Sequence, residues 1–179
     1  MIESQPLYFY TTWNLPVPIV IRERIRLAVT IERARPDSPE AVKLIKELSD
    51  YLDPLYPKTN QFGLSPDQLI RENVAFFVTR VDGLPAGCGG IKFYPEFGEL
   101  KRMYVRPPYR GLGLGKLMLK HLEAYALQHG MTLIRIETGV YQPEAMGLYE
   151  KMGYRQRASF PPYPESTATL SRFYEKQMV

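Results

Sequence analysis

Hydrophobic and polar residues along this chain repeat with two periods, one typical of β-strands and one typical of α-helices. Apolar runs separated by turn residues predict strands at 24–34, 74–81, 86–94, 99–105, 132–139, 154–160 and 168–177. Apolar positions at helical spacing predict helices at 39–53, 112–129 and 143–151, and a short helix after Ser65. This order of elements favours an α/β fold, in which helices cover both faces of a mixed sheet.

The first 22 residues follow neither period. Prolines and aromatic residues lie there without helical spacing, namely Pro6, Pro16, Pro18, Tyr8, Phe9, Tyr10 and Trp13. Such a segment is typical of an extended arm. We therefore expect residues 1–22 to form a partly ordered N-terminal arm and residues 23–179 to form one domain.

The composition narrows the classes of partner. Of the 179 residues, 45% are hydrophobic and 23% are charged, as in an ordinary globular protein. No apolar run reaches the roughly 18 residues of a membrane span, and the N-terminus does not resemble a secretory signal. The net charge of +4 comes from residues spread along the chain, so we expect neither a nucleic-acid nor a membrane partner.

The cysteine and histidine content bears on compartment and metals. Cys88 is the one cysteine of the sequence, so it cannot form an intrachain disulfide. A single free thiol fits the reducing cytoplasm, where we expect the protein. With that cysteine and two histidines, His121 and His129, we expect no metal site.

A glycine-rich segment at 110–116, Arg-Gly-Leu-Gly-Leu-Gly-Lys, joins a predicted strand to a predicted helix. Amide N–H groups left uncovered at a helix N-terminus attract phosphate oxygens, so we expect a phosphorylated cofactor there. Leu117 stands where a P-loop needs serine or threonine, which excludes that motif. The glycine spacing departs from the dinucleotide fingerprint, but Glu137 stands near the place of its ribose-binding acid, so a nucleotide-dependent oxidoreductase stays open.

Two segments give the chain a resemblance to a known family. Residues 99–115 resemble the acetyl-CoA-binding segment of the GNAT (GCN5-related N-acetyltransferase) family, whose signature after the fourth strand is Gln/Arg-x-x-Gly-x-Gly/Ala. That signature is filled by Arg110, Gly113 and Gly115. Residues 142–154 resemble the family's Asn-x-x-Ala-x-x-Leu-Tyr-x-x-x-Gly-Phe/Tyr helix, with Gln142 in place of the usual asparagine.

The resemblance implies a GNAT-like α/β fold with a mostly antiparallel sheet of six or seven strands, splayed between the fourth and the fifth. It implies an N-acetyltransferase that moves the acetyl group of acetyl-CoA, its cosubstrate, to an amine by direct attack on the thioester. Amides of 111–116 would hold the pyrophosphate, and β-strand main chain would bind the pantetheine arm. The cofactor-binding residues implied are Met103, Tyr104, Val105, Arg110, Gly111, Leu112, Gly113, Leu114, Gly115, Lys116, Gln142 and Tyr149.

The same resemblance implies the catalytic candidates. An alkylammonium with a pKa of about 10.4 cannot attack until a base removes its proton. Glu99 matches the family's general-base glutamate, Glu137 on the next strand is a second candidate, and an ordered water is the remaining option. Tyr149 matches the tyrosine that protonates the departing thiolate, and its alternative role is to orient the pantetheine arm.

The acceptor is predicted less directly. In this fold the loop after the first helix and the C-terminal strands line the acceptor side, which here implies 51–56 and 160–163. Tyrosines and prolines with few acids there favour a small, partly apolar amine or a peptide N-terminus over a polycation. A homodimer is left open. The alternative function is a non-catalytic acyl-CoA-binding or regulatory module.

Overall fold

A computed structural model of the protein describes residues 27–178. The predicted arm at 1–22 lies outside the described residues, as does the start of the first predicted strand. The strands are β1 (Val29–Arg33), β2 (Ala75–Val81), β3 (Leu84–Phe93), β4 (Gly98–Val105), β5 (Leu133–Gly139), β6 (Arg155–Arg157) and β7 (Ser171–Gln177). The helices are α1 (Pro39–Leu52), α2 (Pro66–Arg71), α3 (Leu114–Gln128) and α4 (Pro143–Lys151). None of these helices is long and apolar enough to cross a membrane.

Helices α1 and α2 both begin at a proline that follows a serine. Proline fixes a helical φ and lacks the N–H that a first helical turn leaves unpaired, so it favours a helix start. At α2 the Ser65 hydroxyl accepts from the Gln68 amide at 3.3 Å, and the Gln68 side chain accepts from the Ser65 amide at 2.8 Å. At α1 the Ser38 hydroxyl makes no such bond, so there the proline and Glu40 in the first turn define the start.

The seven strands form one sheet in the order β1-β2-β3-β4-β5-β7-β6. Every neighbouring pair is antiparallel except β4 and β5, which confirms the predicted mixed, mostly antiparallel sheet. The last two strands are shorter than the predicted 154–160 and 168–177. Between them lie Pro161, Pro162 and Pro164, which cannot donate to a strand ladder, and a short 3-10 turn at Glu165–Thr169.

Helices cover both faces of the sheet, as predicted. Consecutive strand residues point to opposite faces, and Phe76 and Phe77 of β2 belong to two separate apolar clusters. Phe76 packs with Leu44 and Ile45 of α1, whereas Phe77 packs in the cluster that contains Leu122 of α3. The core therefore lies in two layers, with α1 and α2 on one face and α3 and α4 on the other.

Strands β4 and β5 separate halfway along their length. They pair only at Gly98–Ile134, Glu99–Arg135 and Leu100–Ile136, although β4 continues to Val105 and β5 to Gly139. The register between β3 and β4 also shifts, because Cys88 pairs with Tyr104 but Gly90 pairs with Lys101. This bulge holds Arg102 at a φ of 55°. The predicted splay between the fourth and fifth strands is confirmed.

Candidate active site

The glycine-rich segment leaves a row of main-chain amides without partners. Gly111 and Gly113 adopt φ values of 79° and 78°, which side chains other than glycine rarely adopt, and α3 begins only at Leu114. The Leu117 amide is bonded to the Gly113 carbonyl at 3.1 Å, but no described group accepts from the amides of 111–116. We call these six N–H groups the amide cradle. Together with the positive end of α3, they form an anion-binding surface.

A cleft of about 470 Å³, here called the loop cleft, runs from the amide cradle along β4 to α4. It is lined by eleven of the twelve predicted cofactor residues: Met103, Tyr104, Val105, Arg110, Gly111, Gly113, Leu114, Gly115, Lys116, Gln142 and Tyr149. The side chain of Leu112 points away and is 47% exposed, so only its amide belongs to the site. The Arg110 guanidinium is exposed, bonds to the Val105 carbonyl at 3.2 Å and lies over the Tyr51 ring.

The sequence does not identify several residues of the loop cleft, because they resemble ordinary core residues. Leu48, Met118 and Leu148 hold apolar positions of three helices, and Cys88 lies on β3. Tyr51 was predicted on the acceptor side but lines this cleft. Helical spacing alone cannot separate a residue that packs inside the core from one that packs at the edge of a cleft, because both lie on the same apolar face.

A second cleft of about 260 Å³, here called the sheet cleft, lies where β4 and β5 have separated. Its lining includes the charged residues Asp53, Lys101, Arg102 and Glu137, and it is closed on one side by the loop 53–64. Tyr56 spans this region, since its hydroxyl accepts from the Tyr141 amide at 2.9 Å. Of the predicted segment 160–163, Tyr163 lines the cleft, whereas Phe160 is buried among aromatic rings.

The two clefts meet at four shared residues, which are Leu48, Met103, Gln142 and Tyr149. Tyr149 is only 4% exposed, and burial raises the pKa of its phenol, so the hydroxyl stays protonated at neutral pH. No described residue hydrogen-bonds to this hydroxyl. Gln142 occupies the N-cap position of α4 without a side-chain capping bond. The junction therefore presents one neutral phenol and one amide, each with free hydrogen-bonding capacity.

Glu137 lines the sheet cleft and is largely buried. Burial raises the pKa of its carboxyl above the ordinary value of 4.5, although a hydrogen bond donated by the Ser171 hydroxyl at 2.6 Å works in the opposite direction. A carboxylate with a raised pKa holds a proton more readily than an exposed one does. Glu137 therefore has the position and the basicity of a proton acceptor.

Glu99 lies in a different environment. It is fully buried, lines neither cleft, and its Oε1 accepts hydrogen bonds from Lys101 Nζ at 2.7 Å and from the Tyr163 hydroxyl. Lys101 Nζ also donates to the Tyr163 oxygen at 2.6 Å, while Glu99 Oε2 has no partner. Glu99 is thus brought next to the sheet cleft as the counter-ion of Lys101, and not as a group that faces the cleft. Within residues 27–178, no three His, Cys, Asp or Glu side chains cluster as metal ligands would.

Comparison with known proteins agrees with this architecture. A model of the "Acetyltransferase (GNAT) family" matches residues 41–154. An IAA acetyltransferase of Azospirillum brasilense is 39% identical over 152 residues, which are 84% of this chain and 98% of that protein.

Two solved structures are similar as well. One, from Klebsiella pneumoniae subsp. pneumoniae and provisionally assigned as an acyl-CoA N-acyltransferase, has a TM-score of 0.71 at 35% identity, covering 84% of this chain and 98% of its own. The other is PaiA N-acetyltransferase of Thermoplasma acidophilum in complex with coenzyme A, with a TM-score of 0.67 at 18% identity, covering 84% and 99%. The second likeness shows the fold alone. The matched family model and the 39% identical relative, together with the splayed sheet and its glycine loop, show that this chain belongs to the GNAT family of acetyltransferases.

Proposed function

We propose that this protein transfers the acetyl group of acetyl-CoA to the amine of a small molecule or of a peptide N-terminus. The observation that carries the proposal is the junction at Tyr149, where the loop cleft and the sheet cleft meet beside the separated ends of β4 and β5. A direct transfer between two substrates needs such a junction, because both reacting groups must reach one point from different sides.

The loop cleft fits acetyl-CoA in its donors and in its shape. The amide cradle supplies N–H groups for the pyrophosphate, and a Cβ on Gly111 or Gly113 would face open space, so none of residues 27–178 fills it. Beyond Leu100 the edge of β4 no longer pairs with β5, so its main chain is free to bond an amide-bearing arm. When bound, acetyl-CoA supplies the thioester carbonyl that the amine attacks.

Glu137 accepts the proton of the acceptor amine, directly or through a water, in this proposal. Its carboxylate lines the sheet cleft, and its raised pKa brings it closer to neutral pH, where a general base works best. Glu99 is not assigned this step, because its carboxylate lies buried against Lys101 and Tyr163. Glu99 instead neutralises Lys101 and so fixes the charge at the end of the sheet cleft.

Tyr149 donates a hydrogen bond to the sulfur of the departing thiolate. A thiol of this type has a pKa of about 8.5, whereas burial raises the pKa of the Tyr149 phenol above its usual 10.0. Complete proton transfer from the phenol is therefore uphill, and the proton stays nearer the tyrosine. We infer that Tyr149 stabilises the developing negative charge by its hydrogen bond.

The free thiol of Cys88 favours a reducing compartment, and we place the reaction in the cytoplasm. Cys88 is buried, and burial raises the pKa of its thiol to about 12, so it is protonated and unreactive at neutral pH. Its position beside the loop cleft is therefore explained by packing.

The test is acetyl-CoA turnover with a panel of amines. Free thiol released from acetyl-CoA is followed over time, and the acetylated product is identified by its added mass. We expect acceptor-dependent thiol release and a product that carries one acetyl group on nitrogen. Coenzyme A binding by calorimetry without turnover of any amine would overturn the enzymatic proposal and favour the non-catalytic acyl-CoA-binding alternative.

A further inference from the structure

Arg102 projects into the sheet cleft from the bulge of β4. Its Nε donates to the Leu64 carbonyl at 2.7 Å, and its Nη1 donates to the Ser49 hydroxyl at 3.1 Å. A Cβ added to Gly63 would lie 2.6 Å from Nη1 and 2.9 Å from Nη2, so the loop packs directly on the guanidinium. These contacts hold the guanidinium in one place at the sheet cleft, and Nη2 donates no hydrogen bond to a described residue.

Among residues 27–178, the hydrogen bonds that Arg102 donates all go to neutral groups. Arg80, Arg106, Arg135 and Arg157, which are also partly buried, each form an ion pair with a glutamate. Arg102 forms none with the described residues. Burial lowers the pKa of Arg102, whereas a hydrogen bond to Glu47 raises the pKa of Arg106. A guanidinium removed from water without a counter-charge destabilises a protein, which makes an anion favourable at this position.

The other charges of the sheet cleft do not supply that anion. The carboxylate of Glu99 is already paired with Lys101, and the carboxylate of Glu137 accepts a hydrogen bond from Ser171. Asp53 lines the same cleft and acts on Arg102 only through space, without a hydrogen bond. The remaining lining is uncharged: apolar and aromatic side chains, among them Leu52, Tyr56 and Phe62, alternate with neutral polar ones such as Asn60, Gln61 and Thr138.

We propose that Arg102 binds a carboxylate of the acceptor, so that the substrate is an amino acid, a primary amine that also carries a carboxylate. This inference rests on the function proposed above and specifies its substrate class. Arg102 on β4 takes the carboxylate through the N–H groups not used by Leu64 and Ser49, and Glu137 on β5 receives the proton of the amine. The planar fork of arginine suits a carboxylate better than a lysine would.

The experiment compares matched acceptors with and without the carboxylate: L-tyrosine with tyramine and with L-tyrosinamide, and β-alanine with ethylamine. For at least one pair we expect kcat/KM to be higher for the carboxylate by about 10- to 100-fold, the usual value of a hydrogen bond to a charged group. Arg102→Gln should remove this preference mainly through KM, while the decarboxylated amines change little.

Two further variants separate binding from folding. Gly63→Ala keeps every charge but places a methyl group 2.6 Å from Nη1, so the guanidinium must leave its position against Leu64 and Ser49. The preference for the carboxylate should fall, while retained turnover of tyramine and ethylamine shows that the variant is folded. Arg71→Gln, an exposed position on α2 outside both clefts, is the matched control and should keep the preference of the parent protein.

The outcomes distinguish this inference from the proposed function. Equal or better turnover of the decarboxylated amine in every pair, or an unchanged preference in Arg102→Gln, would overturn the carboxylate site while leaving acetyl transfer in place. Calorimetry of L-tyrosine and β-alanine with coenzyme A present measures binding without turnover. Arg102-dependent binding without turnover of any amine would support the carboxylate site and contradict the acetyltransferase proposal. If neither amino acid binds and no amine is turned over, both proposals are contradicted.

Discussion

The loop cleft and the sheet cleft meet at Tyr149 but are built in different ways. The loop cleft obtains its polar donors from the main chain of six consecutive residues, 111–116. The sheet cleft obtains its polar groups from side chains on α1, the loop 53–64, β4 and β5. The anion-binding donors of the loop cleft are therefore local in sequence and belong to the backbone, whereas the polar groups of the sheet cleft are side chains brought together from distant segments.

This difference determines how far substitutions can change the ligand that each cleft binds. A backbone donor persists under most substitutions, so the amide cradle can retain one phosphate ligand while its side chains vary. Side chains such as Arg102 and Glu137 set the charge and shape of the sheet cleft, so under the proposals above substitutions there should alter which acceptor is used. The two clefts should therefore respond differently to mutation.

The largest expected effect lies in the sheet cleft. Glu137→Gln removes the proposed base while an amide oxygen can still accept from Ser171, so kcat should fall by about 100- to 10,000-fold. The affinity for coenzyme A, measured by calorimetry, should stay unchanged, because Glu137 does not line the loop cleft.

The pH dependence of kcat/KM in the parent protein is the control for the Glu137→Gln variant. The base acts only when it is deprotonated, so kcat/KM in the parent protein should fall as the pH drops through the raised pKa of Glu137. Burial opposes the charged form of Glu137, so its contribution to the stability of the folded state is lost as the pH rises through its raised pKa. Above that pKa, Glu137→Gln should therefore not lower the melting temperature. If Glu137→Gln kept most of its turnover, another group would have to be the general base.

The next largest effect tests the amide cradle. Gly113→Glu places a carboxylate where the phosphates would bind, and we expect coenzyme A affinity to fall by about 100-fold or more because like charges meet. Gly130→Glu is the matched control, since Gly130 has a φ of 75° and an equally open Cβ position at the other end of α3. An equal loss of coenzyme A affinity in both variants would show that backbone strain, and not the amide cradle, causes the loss.

A smaller effect is expected at the junction. Tyr149→Phe removes the proposed hydrogen bond to the leaving sulfur, so kcat should fall by about 10- to 100-fold with the KM for acetyl-CoA nearly unchanged. Tyr154→Phe is the control, because that ring lies 6.1 Å from the Tyr149 ring, is also buried, and lines neither cleft. An unchanged kcat in Tyr149→Phe would reduce Tyr149 to a packing residue.

The smallest effect should come from a charged side chain of the loop cleft. Lys116 is exposed, and an exposed charge is screened by water and salt, so Lys116→Gln should weaken coenzyme A binding by less than about fivefold. Calorimetry at two salt concentrations measures this. A loss as large as that of Gly113→Glu would contradict the idea that the backbone carries the phosphate site.

Local signals in the sequence predicted much of the fold. Alternating apolar runs gave the strands, and Asp82-Gly83 gave the hairpin turn, where both residues adopt positive φ values. The start of α3 was placed two residues early, because apolar spacing includes Leu112 while the left-handed Gly113 prevents a helix there. Strand β6 was predicted too long because its ladder depends on β7, which lies between β5 and β6 in the sheet.

The sequence by itself determined the amide cradle and the order of the elements, because both depend on residues that are neighbours in the chain. Only the tertiary structure decided which side chains share the sheet cleft, buried Glu99 against Lys101 and Tyr163, and left Glu137 and Arg102 facing the same space. The physical reason is that strand register and the bulge of β4 set where a side chain points, and both depend on hydrogen bonds between segments far apart in sequence.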